Sequence, residues 1–210
     1  KFVRPVAAMV DESFLLEPED QPGHPDPHVW MDVKAWIAAT DAVAIALCQA
    51  DPAGCETYRK NAAAYTVELA ELDAYVAAVI ASIPKNQRVL VTAHDAFSYF
   101  GRAYGLEVMG IQGISTESEA GLADVSSLVL MLVNRRIPAV FVESSVPDKY
   151  VRALIEGAAA KGHTVVVGGE LFSDAMGRPG TWEGTYRGMI DHNASTVARA
   201  LGGNVPTNGF

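Results

Sequence analysis

The sequence predicts an α/β fold with parallel sheets, arranged as two lobes joined by one long rigid helix. Short apolar runs alternate with helical segments after residue 85, which is typical of parallel strands linked by helical crossovers. An apolar seam with alternating steps of four and three residues marks a single helix over residues 52–82, about 45 Å long at 1.5 Å per residue. In a chain of 210 residues, a helix of this length is expected to span two lobes.

Length and composition indicate a globular chain. Apolar residues make up 50% of it and charged residues 20%, which excludes a disordered polypeptide. No apolar run reaches the roughly 20 residues of a membrane span, so we expect no membrane insertion of this chain. The net charge of −9 comes without a basic stripe, which argues against nucleic acid as a partner and fits the binding of cations.

The first part of the chain predicts one strand, over residues 3–10, followed by a loop to Pro27 that is rich in proline and acidic residues. Asp32 is a suitable N-cap for a helix that reaches about Cys48. A second helix is predicted to begin at Asp51-Pro52, with Asp51 as N-cap and Pro52 at the first helical position.

The two cysteines, Cys48 and Cys55, flank this corner. They could form a disulfide in an oxidising compartment or remain two buried thiols in a cytosolic protein, and their spacing leaves both alternatives open. Neither has the C-x-x-C spacing of a zinc or redox pair, so we expect no metal binding by thiolates.

The long helix and the segments after it complete the predicted elements. The seam of the helix consists of Tyr58, Ala62, Tyr65, Leu69, Leu72, Val76, Val79 and Ile83. The predicted strands cover 88–93, 106–111, 139–142 and 164–167, and the helices 97–104, 122–135, 148–161 and 183–201. The strand sequences are continuously apolar, as expected of strands covered on both faces.

Three of the four strands lead to potential metal ligands. The first leads to His94 and Asp95, the third to Glu143, and the fourth to Glu170 and Asp174. Because ligands gather beyond the carboxyl ends of parallel strands, these residues are candidates for one site.

Each candidate also has a structural alternative. His94 could bond backbone at a helix entry, Glu143 is favoured as a partner of loop amides, and Asp174 could cap a turn. His28, between two prolines and a helix, suits either a ligand or a structural role. The remaining histidines of the second half are interpreted as packing or surface residues: His163 and His192. No G-x-S-x-G elbow, Walker A loop or G-x-G-x-x-G turn supports those enzyme classes.

Several motifs occur in a fixed order over residues 20–202. They are DPHVWMD (26–32), VTAHDAFSYF (91–100), QGISTE (112–117), FVESS (141–145), GELFSDAMG (169–177) and EGTY (183–186) with DHN (191–193). Together they resemble the zinc/manganese solute-binding proteins of bacterial metal ABC transporters. The resemblance implies two α/β lobes with a transition metal held between them by four side chains. It divides the chain into 1–51, the remainder of the N-terminal lobe, 52–84, the connecting helix, and 85–210, the C-terminal lobe.

By motif, the resemblance implies His28, His94 and Asp174 as metal ligands. It carries no ligand role to Glu143. Its fourth ligand is a histidine early in the first lobe, and His24 fits no ligand motif. We therefore expect Lys1 to fall midway through the first lobe, which is then incomplete, with the missing histidine and a signal peptide preceding it.

The resemblance predicts high-affinity capture of a divalent transition metal and its delivery to an ABC permease subunit for import, without enzymatic turnover. Imidazole and carboxylate ligands suit Mn²⁺, Zn²⁺ and Fe²⁺, and the carboxylate favours Mn²⁺. The location is expected to be periplasmic or otherwise extracytoplasmic, with or without a lipid anchor. A metal-dependent hydrolase with Glu143 as base and a metal-binding adhesion or interaction module are the alternatives.

Metal affinity is expected to fall as the pH decreases from about 7.5 to about 5, because imidazole and carboxylate ligands must lose their protons to bind metal. Competition titrations at a series of pH values measure the effect. An affinity that stays constant over this range would contradict ligation by histidine.

Overall fold

The computed structural model describes residues 6, 10–18, 23–114, 122–207 and 209–210. The described helices are α1 (Val33–Ala50), α2 (Cys55–Ala81), α3 (Ser98–Tyr104), α4 (Leu122–Arg135), α5 (Lys149–Ala160) and α6 (Tyr186–Ala200). The described strands are β1 (Val89–His94), β2 (Glu107–Gln112), β3 (Ala139–Glu143) and β4 (Val166–Leu171). The predicted α/β class is confirmed. The predicted strand at 3–10 and residues 115–117 of the QGISTE motif lie wholly or largely outside the described residues.

The chain divides into two compact units, Lys1–Ala74 and Tyr75–Phe210, and the boundary falls within α2. In the first unit, α1 begins as predicted: Asp32 Oδ1 accepts the backbone N–H of Lys34 at 2.9 Å and that of Ala35 at 3.3 Å. Within the described part, α1 is the one helix with the length and composition to cross a membrane, a test that core helices of globular proteins also meet.

The corner after α1 differs from the prediction. A short 3-10 turn, Pro52–Gly54, precedes α2, so the expected continuous helix over 52–82 begins only at Cys55. As predicted, Asp51 is the N-cap residue and Pro52 the first residue of this turn, and the Asp51 carboxylate accepts a 2.6 Å hydrogen bond from the Tyr58 hydroxyl. Cys48 and Cys55 are joined by a disulfide, with their Cα atoms 4.4 Å apart.

The apolar seam of α2 is confirmed. The first three seam residues are half-buried and the next four are buried, as is Ile83, which lies just after the helix ends. Since α2 has 27 residues, it is about 40 Å long.

The second unit contains the strands. β1 pairs with β2 and β3 with β4, both in parallel. β1 lies against β3, and their apolar side chains share one core with α4 and α5. The predicted parallel pairing is therefore confirmed, but the ladders of the described part form two pairs of strands and not one four-stranded sheet. β1 ends at His94 and β3 ends at Glu143. There the Glu143 side chain, not a backbone carbonyl, accepts the backbone N–H of His94.

The fourth strand begins two residues later and ends four residues later than predicted, at Val166 and Leu171. The expectation that both its faces are covered is wrong. Val166 and Val167 are 53% and 48% exposed. The strand continues through Gly168 and Gly169, which the sequence suggests as its end. A Cβ at Gly168 would lie 2.6 Å from the Phe141 ring, and one at Gly169 would lie 2.4 Å from a methyl group of α6. Glycine is required at position 168 because Phe141 of β3 and Ala200 of α6 both lie against it, and at position 169 because Thr196 of α6 does.

Loss of the Cys48–Cys55 disulfide should destabilise the first unit. Closing so short a loop in the unfolded chain accounts for about 2 kcal/mol. Thermal unfolding of a Cys48→Ser/Cys55→Ser double variant, compared with the parent chain with and without reductant, measures the loss. Equal melting temperatures for the oxidised parent and the double variant would contradict the prediction.

Candidate metal centre

His94 is the last residue of β1, a strand that is buried at every position. In parallel register it lies opposite Gln112, the last residue of β2. Its side chain is 1% exposed, so each polar atom of the ring requires a partner within the protein.

Glu143, the last residue of β3, supplies two contacts to His94. Its Oε1 accepts the backbone N–H of His94 at 2.8 Å. Its Oε2 lies 2.7 Å from Nδ1, a close contact rather than a fully aligned hydrogen bond. Glu143 therefore bonds a strand-end amide and faces an imidazole, and the expectation that it serves loop amides is wrong.

Asp174 lies in the loop after β4. Its Oδ2 is 3.5 Å from His94 Nε2, on the opposite side of the ring from Glu143, and its side chain is 40% exposed. Ser145, in the loop after β3, donates to the same oxygen at 3.2 Å and bonds the Ser173 hydroxyl at 2.9 Å. The carboxyl ends of β1, β3 and β4 thus bring together His94, Glu143 and Asp174, as the strand pattern predicts.

Asn193 on α6 fixes the loop that carries Asp174. Its side-chain amide accepts from the backbone N–H of Phe172 at 2.9 Å and donates to the backbone carbonyl of the same residue at 2.8 Å. Asn193 is fully buried. The loop is therefore held two residues before Asp174 by a side chain from another element.

The surroundings of His94 raise the pKa of its imidazole. Burial acts to lower this pKa, but the carboxylates of Glu143, Asp174 and Asp95 outweigh it by stabilising the protonated ring. Because the folded chain binds this proton more tightly than the unfolded chain, the contribution to stability is present below the unfolded pKa and is lost as pH rises through the folded pKa.

His28 belongs to the first unit and lies just before a 3-10 turn, Val29–Met31. Asp26 Oδ1 accepts the backbone N–H of His28 at 2.9 Å and is 2.7 Å from its ring Nδ1. Both residues are buried. The nitrogen through which His28 could bind a metal is therefore Nε2.

The other candidates have structural contacts. His163 Nε2 is 2.8 Å from the carbonyl of Ile137, and His192 Nε2 is 2.8 Å from that of Glu170. Asp95 accepts a hydrogen bond from the Ser98 hydroxyl at the entry to α3.

Three polar roles were not predicted from the sequence, those of Asn193, Ser145 and Asp26. Asn193 and Ser145 act across 21 and 29 residues, so no local pattern marks them. The role of Asp26 could have been found, because an aspartate two residues before a histidine is placed to accept that residue's backbone N–H.

The family model for ZnuA, Zinc-uptake complex component A periplasmic, matches residues 3–200 of the chain. The manganese-binding lipoprotein MntA of Bacillus subtilis (strain 168) is 52% identical over 176 residues, which are 84% of this chain and 58% of that protein. The chain thus spans less than two thirds of the length of the curated relatives it matches.

Solved structures give the same result. The periplasmic zinc-binding protein TroA from Treponema pallidum matches with a TM-score of 0.88 and 48% identity, over 93% of this chain and 70% of that one. Fe(III)-bound YtgA from Chlamydia trachomatis matches with a TM-score of 0.82 and 30% identity, over 91% of this chain and 68% of that one. The likeness to TroA confirms the predicted two-lobed α/β class.

Replacing Asn193 by alanine should destabilise the chain, because the N–H and carbonyl of Phe172 lose their partners in a partly buried position. The expected loss is about 1–3 kcal/mol in the free energy of unfolding, measured by urea denaturation. His192→Ala is the neighbouring comparison and should cost less, because it removes a single, more exposed hydrogen bond to the carbonyl of Glu170 and a ring contact with Phe172. An Asn193→Ala variant as stable as the parent would contradict this role.

Proposed function

Because the chain belongs to the ZnuA family of periplasmic zinc-uptake components, we propose that it captures a divalent transition metal and delivers it to an ABC permease for import. The observation that carries the proposal is the convergence of a buried imidazole, His94, with a carboxylate, Asp174, at the ends of parallel strands. Capture and release require no catalytic step, so the chain is proposed to have no enzymatic activity.

The proposed ligands are His28, His94 and Asp174. His28 and His94 each have Nδ1 beside a buried carboxylate, which leaves Nε2 as the coordinating atom. Neighbouring carboxylates of this kind are typical of metal-binding histidines. Asp174 supplies the negative charge, and its loop is held in place from α6.

Manganese is the favoured metal, with zinc and iron as the other candidates. A mixed imidazole and carboxylate set is suited to all three, and the carboxylate favours the harder Mn²⁺. The names of the relatives include a manganese-binding, a zinc-binding and an Fe(III)-bound protein. In vitro, the order of intrinsic affinities should give tighter binding of Zn²⁺ than of Mn²⁺.

An extracytoplasmic location is proposed on two grounds. The disulfide between Cys48 and Cys55 persists in oxidising compartments. The relatives are a lipoprotein and a periplasmic protein by name. The description of the family as a zinc-uptake component, and a manganese ABC transporter lipoprotein among the relatives, favour metal binding for transport over the hydrolase and adhesion alternatives.

Substituting the ligands of the second unit tests the proposal. His94→Ala and Asp174→Ala should each weaken binding of Zn²⁺ and Mn²⁺ at least about 100-fold, or about 2.7 kcal/mol, in competition titrations with a chromophoric chelator. His163→Ala is the matched control, because its ring bonds a backbone carbonyl near the amino ends of β3 and β4 and should leave affinity unchanged. Unaltered affinity in both ligand variants would contradict the proposal.

A further inference from the structure

We propose that Glu143 is a positioning residue that holds His94 in the tautomer protonated at Nδ1, so that Nε2 presents its lone pair to a metal. The inference rests on the proposed function, because the tautomer matters only if His94 is a metal ligand. Glu143 itself faces the side of the ring away from Asp174 and is not a ligand.

The geometry favours this tautomer because the two ends of the ring differ. The Glu143 side chain has no exposed surface, and its Oε2 is 2.7 Å from Nδ1. The Asp174 side chain is 40% exposed, and its Oδ2 is 3.5 Å from Nε2. A carboxylate oxygen only accepts hydrogen bonds. Because Glu143 is closer to the ring and shielded from water, it attracts the single ring proton more strongly than Asp174 does, and the proton is favoured on Nδ1.

The second oxygen of Glu143 fixes the carboxylate in place. Oε1 accepts the backbone N–H of His94, a group that is always a donor. One carboxylate thus accepts a hydrogen bond from the backbone of His94 and lies in close contact with the ring of the same residue. Rotation of the Glu143 carboxyl exchanges two equivalent oxygens, so neither orientation offers a donor to Nδ1.

Glutamine at this position should reverse the tautomer. If the amide oxygen of Glu143→Gln accepts the backbone N–H, its NH₂ group faces Nδ1. Nδ1 must then act as acceptor, and the ring proton moves to Nε2, where it blocks metal binding. The opposite amide orientation places NH₂ against the backbone N–H, two donors in contact, and is disfavoured in a buried position.

His28 provides a comparison of equal charge. Asp26 uses a single oxygen, Oδ1, for both the backbone N–H and Nδ1 of His28. In Asp26→Asn the amide oxygen can still accept both, so His28 should keep its proton on Nδ1. Both substitutions remove one buried carboxylate charge beside a proposed ligand, but only Glu143→Gln presents a donor to the ring.

The test is ¹⁵N NMR of histidine side chains in the full chain without added metal, at a pH above the titration of His94, for the parent, Glu143→Gln and Asp26→Asn. The parent should show His94 protonated at Nδ1, Glu143→Gln should show it protonated at Nε2, and Asp26→Asn should leave His28 protonated at Nδ1. Glu107→Gln is the control for the loss of a negative charge. Glu107 forms an ion pair with Arg135, and their side chains are 46% and 39% exposed, respectively.

Affinity for Zn²⁺ and Mn²⁺ is measured on the same proteins. Glu143→Gln should bind both metals about 10–100-fold more weakly, while Glu107→Gln should match the parent. His94 protonated at Nε2 in the parent would overturn the inference, and this result needs no folded variant. An unchanged tautomer in Glu143→Gln would also overturn it, as would equal losses of affinity in Glu143→Gln and Asp26→Asn without a change of tautomer. If the parent binds neither metal, the proposed function fails, while the tautomer data still decide the role of Glu143.

Discussion

The complete burial of β1 is the constraint on which the second unit depends. A strand covered on both faces contributes apolar side chains to the core, but it also carries its last polar residue, His94, out of contact with water. A buried imidazole and its backbone amide are costly unless they have partners. Glu143, at the end of the adjacent strand β3, supplies these partners. The packing of β1 against β3 therefore determines which groups surround His94.

The periodic elements could be predicted from the sequence, because helix and strand periodicities are local properties. The capping of α1 by Asp32, the seam of α2 and the bounds of α4 follow from residues close in sequence. β4 could not be delimited, because Gly168 and Gly169 have the composition of a turn but serve the close approach of α6. That function depends on Thr196 and Ala200 of α6, which lie far from the glycines in the sequence.

The ligands of the candidate site could be predicted from the sequence, but the residues that orient them could not. Strand ends and family motifs indicate His94 and Asp174, since both lie where parallel strands deliver ligands. They do not indicate which groups orient them. Glu143 acts on a residue 49 positions earlier, and Asn193 acts on one 21 positions earlier. Contacts over such separations depend on the packed structure and have no local signature.

The glycine pair in β4 also determines how regular the exposed edge of its sheet is. Among the described strands, β4 pairs only with β3, and Val166 and Val167 are half-exposed. A flat, apolar strand at a sheet edge is a template for aggregation. The register is interrupted here, because Val140 pairs with Val167 whereas Phe141 pairs with Gly169. This bulge at Gly168 limits the regular edge to a few residues, so the glycines that admit α6 also interrupt the edge to which another strand could pair.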